Sequence, residues 1–386
     1  MAKKPVKYYV VDAFTDSAFK GNPAAVCFLE DERDDKWLQA VAVEFNISET
    51  CYLTRIAHNH FRLRWFTPVF EVKLCGHATL AAAHTLFSYG LVDSDVIEFE
   101  TLSGLLTAKK ISTIDITNAS NLQSGKAHDG FYIELDFPVD PVTDINSIES
   151  ETSQISGALN GASIVDIKRT QNGDDLVVVV PSGSAVTELQ PQIDAVVKCP
   201  GRGIIVSGIA PPGSGFDFYS RFFCPKAGIN EDPVCGSAHC ALASYWGKKL
   251  GKCDFNAYQA SPRGGILNIH LDDQNQRVLL RGKAVTVMEG CLLGIDHKCW
   301  TYAYGLTLLG ILLRLLGELT RSSKISPRRC SHYHQFLSHS HPTANLALSR
   351  SYLNCSRDSS SSSAPLRHCV LLHSQLDIGL GEAFVP

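Results

Sequence analysis

The chain has 386 residues, is 45% hydrophobic and carries a formal net charge of −4. That length holds two ordinary domains with an ample core, and the composition is that of a globular chain. Lys and Arg are scattered without a basic stripe to neutralise phosphates, which argues against a nucleic-acid partner.

Thirteen cysteines stand behind an N-terminus with no signal-peptide pattern, which predicts a reducing, cytoplasmic compartment and free thiols. No CxxC pair or Cys/His zinc ladder occurs, so no metal is expected.

Residues 7–29 read as strand, loop, strand, with Phe19-Lys-Gly21-Asn22-Pro23 between apolar runs. Trp37, Leu38, Val41 and Phe45 fall at helical spacing over 35–45, and Asn46 to Thr50 break that helix before a strand at 51–54. Phe61 to Phe66 alternate like a half-buried strand. Cys75 to Tyr89 forms a small-residue helix, Ala-rich enough to be wrapped on all sides. Strands follow near 96–100 and 105–111, and the polar stretch 112–128 reads as a crossover. The second half restarts with a strand at 131–137, shows strands at 175–180 and 203–207, a helix at 236–250, and closing strands at 278–282 and 284–288. Many strands around one apolar helix per half predict an α+β fold of curved sheets, since a doubly wound parallel sheet needs more helices.

Beyond residue 295 the character changes. The apolar run 301–316 is interrupted by Arg314 and is too short for a membrane span. From Thr320 the Ser-, His- and Arg-rich sequence lacks periodicity, as in a disordered segment or a product of altered splicing or gene modelling.

One pattern occurs twice. Arg64-Trp-Phe-Thr-Pro68, Glu71 and Cys75-Gly76-His77-Ala78 are matched by Arg221-Phe-Phe-Cys-Pro225, Glu231-Asp232 and Cys235-Gly236-Ser237-Ala238. Each Cys-Gly lies at a helix start, where free N–H groups and the helix dipole favour a substrate carboxylate or a thiolate. The alternative is that Gly76 and Gly236 only allow close packing; the matched upstream blocks weaken it. Glu49, in a polar Ser-Glu-Thr break, is a catalytic candidate or a solvated loop charge, and Asp232 a site residue or a helix cap. His77 could bond a ligand or cap the helix, and Ser237 stands at the helix mouth. His84 reads as structural, and His239 as facing a strand. Cys27, Cys51, Cys240, Cys253 and Cys291 read as ordinary buried thiols.

Taken together, Asp12-Ala-Phe-Thr, Phe19-x-Gly21-Asn22-Pro23-Ala-Ala-Val26, Ser48-Glu49-Thr50, Arg64 to Pro68, Leu74 to Thr79 and Glu231 to His239 resemble the phenazine-biosynthesis PhzF-like family, from about residue 7 to 293. The resemblance implies the diaminopimelate-epimerase-like fold, with two similar halves, each a barrel-like sheet around a central helix. The halves are expected at 1–118 and 129–295, with 296–386 as an unrelated tail. It also implies a homodimeric isomerase without cofactor or metal, acting on a small carboxylate-bearing substrate. In the founding phenazine enzymes a glutamate moves a proton on dihydro-hydroxyanthranilate.

By that resemblance Glu49 is the acid/base group, His77, Asp232 and Ser237 surround the ligand, and Gly76 and Gly236 supply backbone donors. A carboxylic acid enclosed between two lobes is suited to take and return a proton near neutrality. A second reading is an amino-acid racemase using Cys75 and Cys235 as thiol base and acid, although the epimerase-type Cys-Gly-Asn-Gly is absent. A third is a non-catalytic binding protein, favoured only by the tail.

Overall fold

In the computed structural model residues 5–112, 130–145 and 149–293 are described. Most of the expected crossover, the apolar run 301–316 and the whole tail lie outside them. Among the described residues no helix is long and apolar enough to cross a membrane.

The first half runs β1 (Val6–Ala13), β2 (Asn22–Leu29), α1 (Asp35–Phe45), β3 (Glu49–Ala57), β4 (His60–Phe66), β5 (Glu71–Val72), α2 (Gly76–Ser88), β6 (Val96–Thr101) and β7 (Gly104–Ile111). Next come β8 (Tyr132–Pro138), β9 (Val142–Asp144), α3 (Glu149–Ala158), β10 (Asp166–Thr170), β11 (Leu176–Val179), α4 (Gly183–Thr187), α5 (Ile193–Val196), β12 (Ile204–Ile209) and β13 (Phe218–Cys224). A 3-10 turn (Pro225–Ala227) leads to β14 (Ile229–Asp232), α6 (Gly236–Leu250), β15 (Asp254–Gln259), β16 (Gly265–Asp272), β17 (Arg277–Gly282) and β18 (Ala284–Leu292).

The expected helices form for local reasons. Asp34 caps α1 by accepting from the Trp37 N–H, and Asn46 ends it in the left-handed region, so the chain turns back and enters β3 at Glu49. In α2 nearly every residue from Gly76 to Leu86 is buried, as its Ala-rich sequence predicts. The helix α3 was not legible: its sequence is Ser- and Glu-rich, and of its described side chains only Ile155 and Ala158 enter the core, too few for a periodic signal.

The strand order repeats. In the first half β1–β2 is antiparallel, β2–β3 parallel, β3–β4 antiparallel, β4–β6 parallel and β6–β7 antiparallel. The same sequence of pairings runs β10–β11, β11–β12, β12–β13, β13–β15 and β15–β16. Each parallel step has a helix between its strands, because a parallel pair needs a crossover that a tight turn cannot supply. Strand β8 bonds both β7 and β17 and joins the two sheets. The last strand, β18, returns to the first sheet and pairs with β1. Helix α2 packs on β1, β2, β3, β7, β8 and β18, and α6 on β9, β16 and β17, so each curved sheet holds one helix. One apolar cluster containing Leu80, Leu86, Ala241 and Leu280 is continuous through both halves.

Two cysteine expectations are corrected. Cys27, Cys51 and Cys240 are buried, but Cys253 and Cys291 are exposed. Cys253 follows the glycine that ends α6, outside the core, and Cys291 lies near the end of the edge strand β18.

Candidate active site

Helices α2 and α6 meet at their N-termini. A Cβ added to Gly76 would stand 2.8 Å from the Cα of Gly236, and one added to Gly236 would stand 2.9 Å from the Cα of Gly76. No side chain larger than hydrogen fits at either position, so close packing is a true role of both glycines. It also brings two positive helix ends to one place. The N-cap residues, Cys75 and Cys235, make no side-chain capping bond, which leaves first-turn N–H groups available to an anion.

The residues singled out by sequence converge there. Glu49, Cys75, Gly76, His77, Asp232, Cys235, Gly236 and Ser237 line one cavity of about 50 Å³, with Arg202 and Phe70 among its other walls. Larger cavities lie elsewhere, such as one of about 270 Å³ beside Arg33, Arg62 and Arg64. What marks the site is the convergence of buried polar groups, not volume.

Glu49 heads β3 and is 6% exposed; His77, at the second position of α2, is 2% exposed. Their Oε2 and Nε2 atoms lie 3.0 Å apart, within ion-pair range. The contact is not aligned as a hydrogen bond, so Glu49 Oε2 is a buried acceptor without a donor. Burial alone would lower the His77 pKa, but Glu49, by its charge and its direct contact with the ring, and then the Asp232 charge and the Pro23 backbone raise it.

Asp232 ends β14 on the other side. Burial, with the Glu49 charge adding to it, pushes its carboxyl up to about 6 against the pull of the His77 charge. Gln259 braces this strand end, donating to the Asp232 carbonyl at 2.5 Å and accepting from the Cys235 N–H at 2.8 Å. Ser237 Oγ is 3.3 Å from Cys235 Sγ. Burial pushes both thiols well up, and Glu49 beside Cys75 and Asp232 beside Cys235 add to it.

His84 and His239 are structural. Burial lowers each to about 4. His84 stacks on Phe131, and His239 lies between the Cys235 carbonyl and Ser220 of β13.

Two residues of the site carried no sequence assignment. Asn22 is fully buried at the head of β2, and its Nδ2 lies 2.5 Å from Asp232 Oδ1, 2.9 Å from the Val234 carbonyl and 3.0 Å from His77 Nδ1. An amide has two N–H donors, so at most two of these contacts are bonds at once. The Gly21-Asn22-Pro23 turn was the available signal. Arg202 is tied by two nitrogens to Asp175 and, by its place in a Gly-Arg-Gly loop, gave no signal.

Among the described residues, Glu49, Cys75 and His77 offer metal-ligand atoms within 4.8 Å of one another. His77 turns Nε2 to the carboxylate and Nδ1 to the Cys75 sulfur, at 3.4 Å. The ring therefore sits between the other two groups.

A family model described as "Phenazine biosynthesis-like protein" matches residues 11–290. An uncharacterized isomerase of Halalkalibacterium halodurans is 44% identical over 286 residues, covering 74% of this chain and 97% of the relative. A phenazine biosynthesis-like domain-containing protein of Homo sapiens is 38% identical, with 74% and 98% covered. The crystal structure of a PhzF-family protein from Enterococcus faecalis superposes with a TM-score of 0.63 at 37% identity, covering 75% of this chain and 99% of that one. The fold is thus the diaminopimelate-epimerase-like α+β fold expected from the sequence, and the chain belongs to the phenazine biosynthesis-like PhzF family.

Proposed function

We propose that the protein is a cofactor-independent isomerase that moves a proton on a small carboxylate-bearing substrate, with Glu49 as the acid/base group. The observation that carries this reading is the buried Glu49–His77 contact of 3.0 Å beside two facing helix N-termini, with Oε2 accepting no hydrogen bond. In the forward step a substrate C–H bond breaks, its proton passes to Glu49 Oε2, and its electron pair shifts into the neighbouring unsaturated system. Glu49 then returns the proton to a different carbon. His77 orients the carboxylate, and the first-turn amides at Gly76 and Gly236, with Ser237, hold the substrate carboxylate or the charge that develops. Asp232, a carboxyl held partly protonated by its surroundings, is placed to donate to the ligand. The reading carries with it a homodimer in a reducing, cytoplasmic compartment.

A two-cysteine racemase is less well supported. Both thiols sit at the right helix starts, but burial keeps them protonated, and a base must be able to lose its proton near neutrality.

The test uses dihydro-hydroxyanthranilate and a panel of amino-acid carboxylates in D2O, with isomerisation and deuterium incorporation read by NMR. Glu49→Gln is expected to lose about 10²–10⁴-fold in turnover while keeping its fold and ligand binding, and Cys75→Ser and Cys235→Ser to remain active. A fully active Glu49→Gln variant refutes the assignment, and loss in both serine variants transfers it to the thiols.

A further inference from the structure

Away from the cavity, one ion pair between a buried carboxylate and a half-buried guanidinium ties the two halves together. Asp12, in β1, is 1% exposed. Its Oδ1 accepts from Arg263 Nη2 at 2.7 Å, and Arg263 belongs to the loop between β15 and β16. The same guanidinium donates to the carbonyls of Lys20 at 2.9 Å and Gly21 at 2.8 Å, while the second Asp12 oxygen accepts from the Phe19 N–H at 2.6 Å. Backbone bonds from Gly21 to Gly264 and from Ile266 to Phe14 run alongside.

The segment so held is strained. Phe14 and Phe19 have φ of 60° and 68°, in the left-handed region that non-glycine residues avoid. At Gly21 (φ 62°) a Cβ would stand 2.1 Å from the Ala13 carbonyl oxygen. The next residue is Asn22, which reaches across to Asp232 and the Val234 carbonyl, and then Pro23, whose backbone faces His77.

We propose that Asp12 and Arg263 are positioning residues for the acid/base site, a clamp that fixes the 14–22 turn and thereby sets Asn22 and Pro23 against His77 and Asp232. Neither touches the cavity; both act through the turn. The proposal rests on the isomerase reading for its purpose, but its geometry does not depend on that reading. Removing the guanidinium leaves a buried carboxylate without its counter-charge and two carbonyls without donors. The strained turn then relaxes, Asn22 withdraws from Asp232, and the Pro23 backbone leaves His77. The titratable groups facing that imidazole are Glu49, Asp232 and Cys75.

The experiment follows the His77 ring by NMR pH titration of the full chain labelled at histidine, with His77→Gln for assignment. In Arg263→Ala the His77 midpoint is expected to fall toward the ordinary value of 6.5. In Arg263→Lys, which keeps the charge but not the forked reach to both carbonyls, it is expected to fall part of the way. The control is Arg277→Met, which breaks the Arg277–Asp136 bridge joining β17 to β8; it is expected to lower Tm and leave His77 unmoved. A His77 midpoint in Arg263→Ala equal to that of the parent chain overturns the proposal. Should that variant not fold, Arg263→Lys decides it: an unmoved midpoint there overturns the proposal and a lowered one supports it. An active Glu49→Gln protein would end the acid/base reading without altering this readout, so the two failures are distinguishable.

Discussion

The helix starts of α2 and α6 are built alike and equipped differently. In each, an arginine two residues ahead of a phenylalanine is forked onto a glutamate: Arg64 on Glu71 at 2.7 Å, and Arg221 on Glu231 at 2.7 and 2.8 Å. Each guanidinium lies over that phenylalanine, Phe66 at 5.1 Å and Phe223 at 5.0 Å. Four residues past each N-cap cysteine a side chain reaches back to its carbonyl, Thr79 Oγ1 at 2.5 Å in α2 and His239 Nδ1 at 2.7 Å in α6. Two residues past it, His77 faces Cys75 Sγ in one half and Ser237 faces Cys235 Sγ in the other. The scaffold is duplicated and its polar equipment is not, because Glu49 and His77 stand on one side and Asp232 and Ser237 on the other. Two similar halves can thus serve two faces of one ligand with unlike groups.

The largest stability effect expected from this asymmetry is with pH. The folded pKa of His239, about 4, lies below its unfolded value of 6.5, so the unfolded chain takes up a proton first as pH falls. Stability that is full above pH 6.5 is lost between 6.5 and 4, about 3 kcal/mol for this residue. His77 and Asp232, both raised, act in the opposite sense, favouring the folded state as pH falls through their folded values. Making the second half like the first with His239→Thr isolates the term. Urea unfolding at pH 7 and pH 4.5 should show a smaller loss on acidification than in the parent chain, and an unchanged loss would remove His239 from the account.

A smaller effect comes from pushing the halves apart. Gly76→Ala and Gly236→Ala each place a methyl against the other helix's backbone, so each is expected to cost about 1–3 kcal/mol. Similar losses in thermal unfolding would mark a symmetric contact, and a neutral substitution at either glycine would show that the helix ends can separate freely. The smallest effect is on thiol reactivity below pH 8. Among the described cysteines, alkylation followed by peptide mass spectrometry should modify exposed Cys253 and Cys291 first and leave buried Cys75 and Cys235 nearly untouched. Fast labelling of either buried thiol near neutrality would favour the thiol chemistry over Glu49.

Much of this plan was legible in the sequence, unevenly. The doubled Cys-Gly helix starts and the small-residue helices announced the architecture, because helix periodicity and turn residues are local signals. Glu49 was not identifiable from its own surroundings, since a glutamate in a polar break reads as solvent-exposed until the fold closes over it; the family resemblance supplied it. Asn22 was missed because its partners, Asp232 and Val234, are far along the chain. The partner of β18 was hidden for the same reason: alternation shows that a strand exists but not which edge it joins.

That last pairing has a consequence for how the protein is made. β1 is synthesised ahead of every other described element, yet its antiparallel neighbour Ala284–Leu292 is synthesised after all of them. Until then the first sheet carries an open edge on β1, able to template pairing with another nascent chain. Chain release after β8 but ahead of residue 284 would free a first half whose helix and other strands are present but whose rim is unsealed. Until Ala284–Leu292 pairs with β1, that open edge is the surface through which an incomplete chain would aggregate.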